Sequence, residues 1–485
     1  MPDDVRRAQS SSPARSGARA EAAIARTPRP RLAITLAAIV VSVSVALGVR
    51  PVSDPSPWLH LKVGAFLMDG GRFGSPDPWA PFATVTYVPT EWLPAIAGQV
   101  IYQNFGLPGI AWLRCAGILG LLSALVWSAR RSANTLTAVL VSFVGLVGAY
   151  GGLTERPQLA GLAFLALAVG AWWRTGLDLR PRWWLVPVTW LWACVHGLWL
   201  VGIAAGLVCI AGLLLDRRLD RRTAPRLLAI PVLSVLAAGL TPLGPQLLLT
   251  SLAVGKNGSE FVAEWQATSV RNPFAVVTLA MIGLVILSWV RSERRPAWWQ
   301  VGFLLMGIVT TLATMRTIAV GAVIAVPLLA QEIQLYRGRP MVAATRPSRG
   351  AWAALILTAL VVAAPLAAAR AQDPAHVPQR LEPALSLIPS GTVVLAAGDI
   401  SGWLFWAHPS VRPVLDPRIE IYSPAHVRSF VSTMAAGPGW KQFVHRTGAR
   451  YALVPSGSPI ATALVERAAW SQIGKDAGLV LLRAR

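Results

Sequence analysis

The chain has 485 residues, of which 54% are hydrophobic and 14% charged, and its formal net charge is +22. Soluble domains average roughly 45–50% apolar and about 25% charged residues, so this composition predicts a multi-span membrane protein. The arginines stand in short blocks between apolar runs, where they orient a membrane protein. The charge therefore does not indicate nucleic-acid binding.

The N-terminal residues 1–30 are rich in Arg, Ala, Ser and Pro and show no apolar period, which predicts a disordered cytoplasmic tail. Residues 32–49 form an apolar run long enough to span a bilayer, with arginines before it and no cleavage site after it. We interpret this run as a signal anchor with its N-terminus inside. It opens a transmembrane domain predicted over residues 31–371.

An outer loop is predicted over residues 50–106, and it is unusually rich in ionisable side chains. These are Asp54, His60, Lys62, Asp69, Asp77 and Glu91. From Glu91 to Asn104 the apolar residues fall on one helical stripe, which predicts a helix on the membrane surface.

Further apolar runs follow the loop and, with the first, predict eleven α-helical spans. They lie at 107–128, 134–150, 158–173, 183–195, 198–215, 226–241, 274–290, 297–312, 316–331 and 351–369. Alternating sides place the later arginine blocks inside, as the positive-inside rule requires. We split the run of residues 183–215 at His196-Gly197 to preserve this alternation. The three cysteines, Cys115, Cys194 and Cys209, fall inside apolar runs, which favours core positions.

The predicted alternation also gathers ionisable residues of distant segments on the outer side. They are Asp54, His60, Glu91, Glu155, Arg156, His196, Glu260, Glu264, Arg271 and Arg316. Ionisable residues at a membrane edge are costly and commonly functional. The sequence therefore predicts a polar cavity that opens outward.

The composition of residues 372–485 is that of a soluble protein, and we predict a small extracytoplasmic α/β domain. Strands are predicted at 392–397, 411–415, 451–454 and 479–482, and helices at 424–435 and 458–470. Its exposed polar and aromatic candidates for substrate contact are Asp399, Trp403, Asp416 and Arg418.

Two reaction classes fit such a cavity. In glycosyl transfer from a polyprenyl-phosphate sugar, Asp54 or Glu91 is the catalytic base and Arg156 or Arg316 holds the departing phosphate. His60, His196 and Glu264 then contact substrate, and Asp54 with His60 is the candidate site for a divalent cation, Mg²⁺ or Mn²⁺. In the other class, transport or lipid binding, the same groups only recognise a substrate.

Each candidate also has a plain structural explanation. Asp54 fits a helix end in water, and Glu91 fits the first turn of a helix, where the helix dipole favours an acid. The two histidines fit a hydrogen-bonded core, and Glu155-Arg156 fits a simple ion pair.

Several segments resemble one bacterial family of large membrane proteins. DPSPWLH, GAFLMDGGRFGSPDPW and TEWL match its Asp-Pro-Asp-Leu-Trp-Trp-His, Asp-Pro-Phe and His-Glu-Trp-Leu patterns. ERPQL at 155–159, WACVHG at 192–197, LTPLG at 240–244, AEWQ at 263–266, GDISGWLFW and PVLDPRIEIY also have counterparts. The resemblance covers nearly everything from residue 32 onward. It implies the architecture of the GT-C superfamily of polyprenyl-phosphate-dependent glycosyltransferases.

The resemblance implies a membrane enzyme on the outer face of the plasma membrane. Its partners would be a lipid-linked sugar donor, an envelope glycan or glycolipid acceptor and membrane lipids. Ser56 stands where the family pattern has its second Asp, and Thr90 where it has the His before Glu-Trp-Leu. These departures leave a non-catalytic or transport-related envelope protein as the alternative.

Overall fold

The computed structural model describes residues 30–74, 77–250, 260–261, 263–292, 295–337 and 349–485. The predicted tail, except for Pro30, lies outside these residues. The helices before the C-terminal region are α1 (Pro30–Gly48), α2 (Ser56–Met68), α3 (Trp92–Ala129), α4 (Thr135–Gly148), α5 (Gln158–Asp178), α6 (Leu185–Ala193), α7 (Trp199–Leu215), α8 (Thr223–Gly239), α9 (Pro273–Arg291), α10 (Trp298–Ala313), α11 (Ile318–Tyr336) and α12 (Arg349–Arg370).

A helix lies at the position of each predicted span. Five described helices are long and apolar enough to cross a membrane by length and composition, and they are α3, α5, α9, α11 with the turn before it, and α12. The other apolar helices are shorter, with α1 counted from Leu32, and α6 has only 9 residues. The fold is that of a multi-pass membrane protein, while the count of eleven spans remains a prediction.

Helix α11 forms the centre of the helical part. Its side chains from Ile318 to Gln331 are buried throughout, which is expected of a helix that is apolar on every face. Small residues allow its neighbours to approach closely: a Cβ on Gly145 of α4 would lie 2.3 Å from the Val326 side chain. The three cysteines are buried, as predicted.

Helix α3 is broken at Gly106, which separates the predicted surface helix from the predicted span. Gly106 has a φ of 61°, a left-handed conformation that favours glycine, and Pro108 follows in the next turn. The break thus falls between the end of the predicted surface helix at residue 104 and the start of the predicted span at residue 107. The turn between α6 and α7 likewise contains His196 and Gly197, where the apolar run was split.

The C-terminal domain (residues 372–485) contains a sheet in the order β2-β1-β3-β5-β4, with β1 parallel to β2 and β3 and the remaining pairs antiparallel. The elements are β1 (Val393–Ala396), β2 (Arg412–Pro413), β3 (Tyr451–Pro455), β4 (Ser471–Asp476) and β5 (Leu479–Arg483), with helices α13 (Glu382–Ser386), α14 (Gly398–Ala407), α15 (Pro424–Met434), α16 (Trp440–Thr447) and α17 (Pro459–Ala468). The four predicted strands and both predicted helices are present. Strand β4 was not predicted, because it is a polar edge strand without an apolar run and is paired only with β5.

The first loop (residues 49–91) is part of the hydrophobic core of the C-terminal domain. Trp58 and Leu61 of α2 share an apolar cluster with Leu404 and Leu453 of the domain. Backbone amides of the loop also donate to the Ile421 carbonyl, with distances of 2.8 and 3.2 Å. The loop and the domain therefore form one packed layer, and the domain boundary at residue 372 remains a prediction.

The arginine-rich turns are bonded to one another. Arg218 Nη1 donates to the Gly176 carbonyl at 2.6 Å, and the Trp298 amide donates to Asp216 Oδ1 at 2.9 Å. These contacts place the turns after α5, after α7 and before α10 at the same end of the helices. They agree with the predicted alternation of sides.

The orientation in the membrane is tested by cysteine labelling in a variant without the native cysteines. Ser390 and Arg221 are both exposed. Ser390 lies in the C-terminal domain, and Arg221 lies in an arginine-rich turn. We expect Ser390→Cys to react with an impermeant thiol reagent in intact cells and Arg221→Cys to react only after lysis. The opposite pattern would reverse the predicted orientation.

Candidate active site

Seven predicted site residues, which are far apart in the sequence, converge beneath the C-terminal domain. They are Asp54, His60, Glu91, Arg156, His196, Glu264 and Arg316, and they are linked by ion pairs or by direct charge effects on one another. They come from the first loop, from the starts of α3 and α5, and from the turns before α7, α9 and α11. The structure thus brings together these seven predicted site residues, whereas Glu260 pairs with Arg428 of the C-terminal domain.

Arg156 joins two carboxylates. Its Nε donates to Asp54 Oδ2 at 2.8 Å, and its Nη1 donates to Glu264 Oε2 at 2.6 Å. Asp54 is buried, and its second oxygen accepts the Ser56 amide at 2.9 Å at the start of α2. Both oxygens of Asp54 therefore already have hydrogen-bond donors.

Glu91 lies between two imidazoles, at the point where the first loop enters α3. His60 Nε2 is 3.4 Å from Glu91 Oε2, and His196 Nε2 is 3.4 Å from Glu91 Oε1. His196 Nδ1 accepts the Leu198 amide at 3.1 Å, so in the neutral ring the proton is on Nε2 and points to Glu91. The protonated nitrogen of His196 therefore lies 3.4 Å from the carboxylate.

Two glycines allow this arrangement. A Cβ on Gly64 of α2 would lie 2.1 Å from the Ala95 carbonyl oxygen of α3, so only glycine permits the close packing that brings His60 to Glu91. A Cβ on Gly161 of α5 would lie 3.1–3.2 Å from the His196 ring. Close helix packing thus positions both imidazoles.

Burial sets the protonation of these groups near neutral pH. It raises the pKa of Glu91 to about 7, an effect that Arg316 opposes and the Glu420 carboxylate enhances. Burial lowers the pKa of His60 to about 4 and that of His196 to about 3. At pH 7 both imidazoles are neutral, while Glu91 is poised to take up or release a proton.

Arg316 is a further cation of the site. Its guanidinium lies over the Trp265 ring at 5.4 Å, and among the described residues no carboxylate forms an ion pair with it. Its charge nevertheless acts on Glu91 and Asp54. Arg316 is therefore available to an anionic ligand.

The pair Glu155-Arg156 does not form the ion pair considered from the sequence. Glu155 is paired instead with Arg114 of α3, and both side chains are fully buried. Arg114 Nε also donates to the Gly48 carbonyl at 2.9 Å. The two neighbours therefore serve different partners, because consecutive residues at the start of a helix point in different directions.

A cavity of about 280 Å³ opens beside this group of side chains. Its polar lining residues are His60, Arg114, Thr154, Glu155 and Arg156, and its walls are apolar side chains of α2, α3 and α5. An apolar pocket with a few convergent polar groups is the usual form of a small-molecule site.

A cluster between the first loop and the C-terminal domain was predicted wrongly. Of the four residues expected to be exposed, Asp399 is exposed, but Trp403, Asp416 and Arg418 are buried. Arg418 bonds Asp416 with distances of 2.6–3.2 Å and Asp77 at 2.8 and 3.2 Å, and its guanidinium lies 5.0 Å from the Trp79 ring. Such a cluster fixes the domain on the loop.

Glu420 is a residue of the site that sequence reasoning missed. It lies in the short helix Ile419–Ile421, and burial raises its pKa to about 7, with the neighbouring Asp416 adding to the rise. Its charge acts on Glu91 and on Tyr87. Glu420 is one of three charged residues in PVLDPRIEIY, and no pattern in that segment indicated that it would lie over the first loop.

The residues do not fit a metal site. No group of three His, Cys, Asp or Glu that could hold a metal ion occurs within the described ranges. Asp54 is occupied by Arg156 and Ser56, and His60 lies against Glu91. Binding of Mg²⁺ or Mn²⁺ by Asp54 and His60 therefore has no support in this donor set.

Two solved structures are similar to this fold over most of the chain. The oligosaccharyltransferase of Archaeoglobus fulgidus in the apo form gives a TM-score of 0.55 at 13% identity and covers 87% of this chain and 69% of that chain. ArnT from Cupriavidus metallidurans in the apo state gives a TM-score of 0.52 at 16% identity, with 93% and 97% covered. No protein-family model and no curated protein matches the sequence. The likeness shows the GT-C-like fold that the sequence resemblance implied.

Proposed function

We propose that the protein is a membrane glycosyltransferase that moves a sugar from a polyprenyl-phosphate donor to a hydroxyl of a cell-envelope glycan or glycolipid on the outer face of the plasma membrane. The observation that carries the proposal is the meeting of a poised carboxyl, Glu91, and an uncommitted cation, Arg316, beside an apolar cavity. The GT-C-like fold supports the same reaction class.

Glu91 is the proposed catalytic base. Its carboxylate takes the proton of the acceptor hydroxyl while the acceptor oxygen forms the new bond to the anomeric carbon. The bond from that carbon to the phosphate oxygen breaks, and its electron pair leaves on the phosphate. His196, whose protonated Nε2 lies 3.4 Å from the carboxylate, keeps its own proton and orients the carboxylate.

Arg316 is the proposed phosphate ligand. Asp54, which the sequence suggested as a catalytic base, has a different proposed role. A guanidinium binds phosphate through two parallel hydrogen bonds, and Arg316 has no carboxylate to give up among the described residues. Arg156 is held by Asp54 and Glu264. Asp54 therefore positions Arg156 at the edge of the site, and Glu264 completes that grip.

The two arginines allow a matched test of the donor site. We expect Arg316→Lys to weaken binding of polyprenyl phosphate about tenfold, because an ammonium cannot reproduce the two-pronged contact. Arg156→Lys should weaken it less, since Arg156 spends its hydrogen bonds on protein carboxylates. Binding is measured by tryptophan fluorescence with undecaprenyl phosphate in detergent.

An equal, small effect of both substitutions would show that Arg316 does not hold the phosphate. A larger loss with Arg156→Lys would move this role to Arg156.

A further inference from the structure

A second cavity lies between the first loop and the edge strand β2 of the C-terminal domain, and we call it the loop cavity. Its volume is about 580 Å³, within the range of roughly 300–1,000 Å³ that is usual for small-molecule sites. Its lining consists of loop residues, Trp79 and Thr86 among them, and of Arg412 in β2. It shares no lining residue with the cavity beside Glu91.

The charges of the loop cavity favour an anionic ligand. Its charged lining residues are Asp77 and Arg412. The oxygens of Asp77 accept from Arg418 at 2.8 and 3.2 Å, and Oδ1 also accepts the Trp79 and Ala80 amides at 2.9 and 2.8 Å. Arg412 is exposed, and its guanidinium has no hydrogen bond or ion pair with the described residues. An anion would therefore meet an uncommitted cation and no unpaired carboxylate.

The rest of the lining suits a sugar. The rings of Pro78, Trp79 and Pro81 supply apolar surface for the C–H faces of a saccharide. Thr86 is exposed, and its hydroxyl, which can donate and accept, has no partner in the described ranges. A guanidinium pairs with a carboxylate or phosphate through two parallel hydrogen bonds. These groups together fit a sugar that carries a negative charge.

The loop cavity adjoins the site that contains Glu91. Two backbone amides of its loop wall donate to the Ile421 carbonyl at 2.8 and 3.2 Å. Ile421 belongs to the short helix of Glu420, whose charge acts on Glu91. Thr86 precedes Glu91 by five residues. Even a fully extended chain of that length spans at most about 18 Å. A short oligosaccharide in the loop cavity can therefore present a hydroxyl to Glu91.

On this basis we infer that the loop cavity binds the acceptor, and that the acceptor is an acidic saccharide whose anionic group pairs with Arg412. The inference rests on the proposed function, because it names the class of acceptor for the same reaction. Arg412 binds the acceptor and takes no part in the transfer of the proton or the sugar. It therefore sets the KM for the acceptor and not kcat.

The test divides the acceptor by charge. Glycans and glycolipids are extracted from the envelope of a strain that lacks the protein and are separated by anion exchange into a neutral and an acidic fraction. Purified full-length protein receives each fraction with a panel of labelled polyprenyl-phosphate sugars. We expect wild type to label the acidic fraction and to leave the neutral fraction unlabelled.

Three variants assign this preference to the loop cavity. Arg412→Gln should raise the KM for the acidic acceptor about tenfold, because a charge-assisted pair is lost, and leave kcat and binding of undecaprenyl phosphate unchanged. Arg412→Lys keeps the charge and should recover part of the affinity. Arg467→Gln is the matched control, because Arg467 is likewise an exposed arginine of the C-terminal domain but does not line the loop cavity. It should behave as wild type.

The inference would be refuted if the neutral fraction were labelled as well as the acidic one, or if Arg412→Gln left the acceptor KM unchanged. An equal rise of KM in Arg467→Gln would assign the effect to net charge and would also refute it. In these cases transfer itself is observed, so the proposed function stands. If wild type transferred sugar to neither fraction, the proposed function and the inference would fall together.

Discussion

Glu91→Gln is expected to reduce kcat about 100- to 10,000-fold, because the amide cannot take the proton of the acceptor hydroxyl. The substitution preserves the shape of the side chain and keeps an oxygen for the imidazole donor of His196. Donor affinity should therefore stay close to that of wild type. Turnover is measured as polyprenyl phosphate released from labelled donor.

The pH profile gives an independent check on this role. The ionised form of Glu91 is the base, so activity should rise with pH through about 7 and level off above it. His60 and His196 remain neutral throughout this range. Glu420→Gln removes a negative neighbour that raises the pKa of Glu91, so the midpoint should move to lower pH. An unchanged midpoint in Glu420→Gln would show that Glu420 does not influence the pKa of Glu91. Full activity of Glu91→Gln would exclude Glu91 as the base.

Arg418→Met is expected to destabilise the protein by about 3–5 kcal/mol, the usual effect of removing one partner from a buried ion pair. Asp77 and Asp416 would lose their cation while remaining buried. The loss should appear as a lower thermal melting midpoint of the full-length protein in detergent. Activity should fall as well, since the first loop that carries Glu91 is fixed through Asp77.

A triple variant provides the control for this prediction. Replacing Asp77 and Asp416 by Asn together with Arg418→Met removes every charge of the cluster, so no unpaired charge remains buried. Its melting midpoint should recover most of the loss. A single variant as stable as wild type would show that the cluster does not hold the domain on the loop.

The sequence predicted the helices well because long apolar runs leave few alternatives. Interruptions were also readable: the Gly106 break precedes a proline, and the turn at His196 divides a run too long for one span. Helix α2 was not predicted, since a segment with two prolines at its start and few regular apolar positions reads as a loop. Its buried Trp58 packs on the C-terminal domain, a contact between residues hundreds of positions apart.

The candidate site shows a similar division. Charge scarcity and topology selected Asp54, Glu91 and Arg316, because ionisable residues stand out in an apolar chain. The ion pairs could not be predicted. Glu155 pairs with Arg114 of another helix, and Arg156 pairs with Asp54. The burial of Arg418 depends on a domain interface that no local pattern encodes.

The most direct test is a transfer assay with the purified protein. The donor is a labelled polyprenyl-phosphate sugar, and the acceptor is envelope glycolipid extracted from a strain that lacks the protein. We expect wild type to release polyprenyl phosphate and to label the acceptor, and we expect Glu91→Gln to lose both signals while still binding undecaprenyl phosphate. The claim of catalysis would be contradicted if wild type bound the lipid but transferred no sugar of a panel to this extract. Its signals would then be no higher than those of Glu91→Gln.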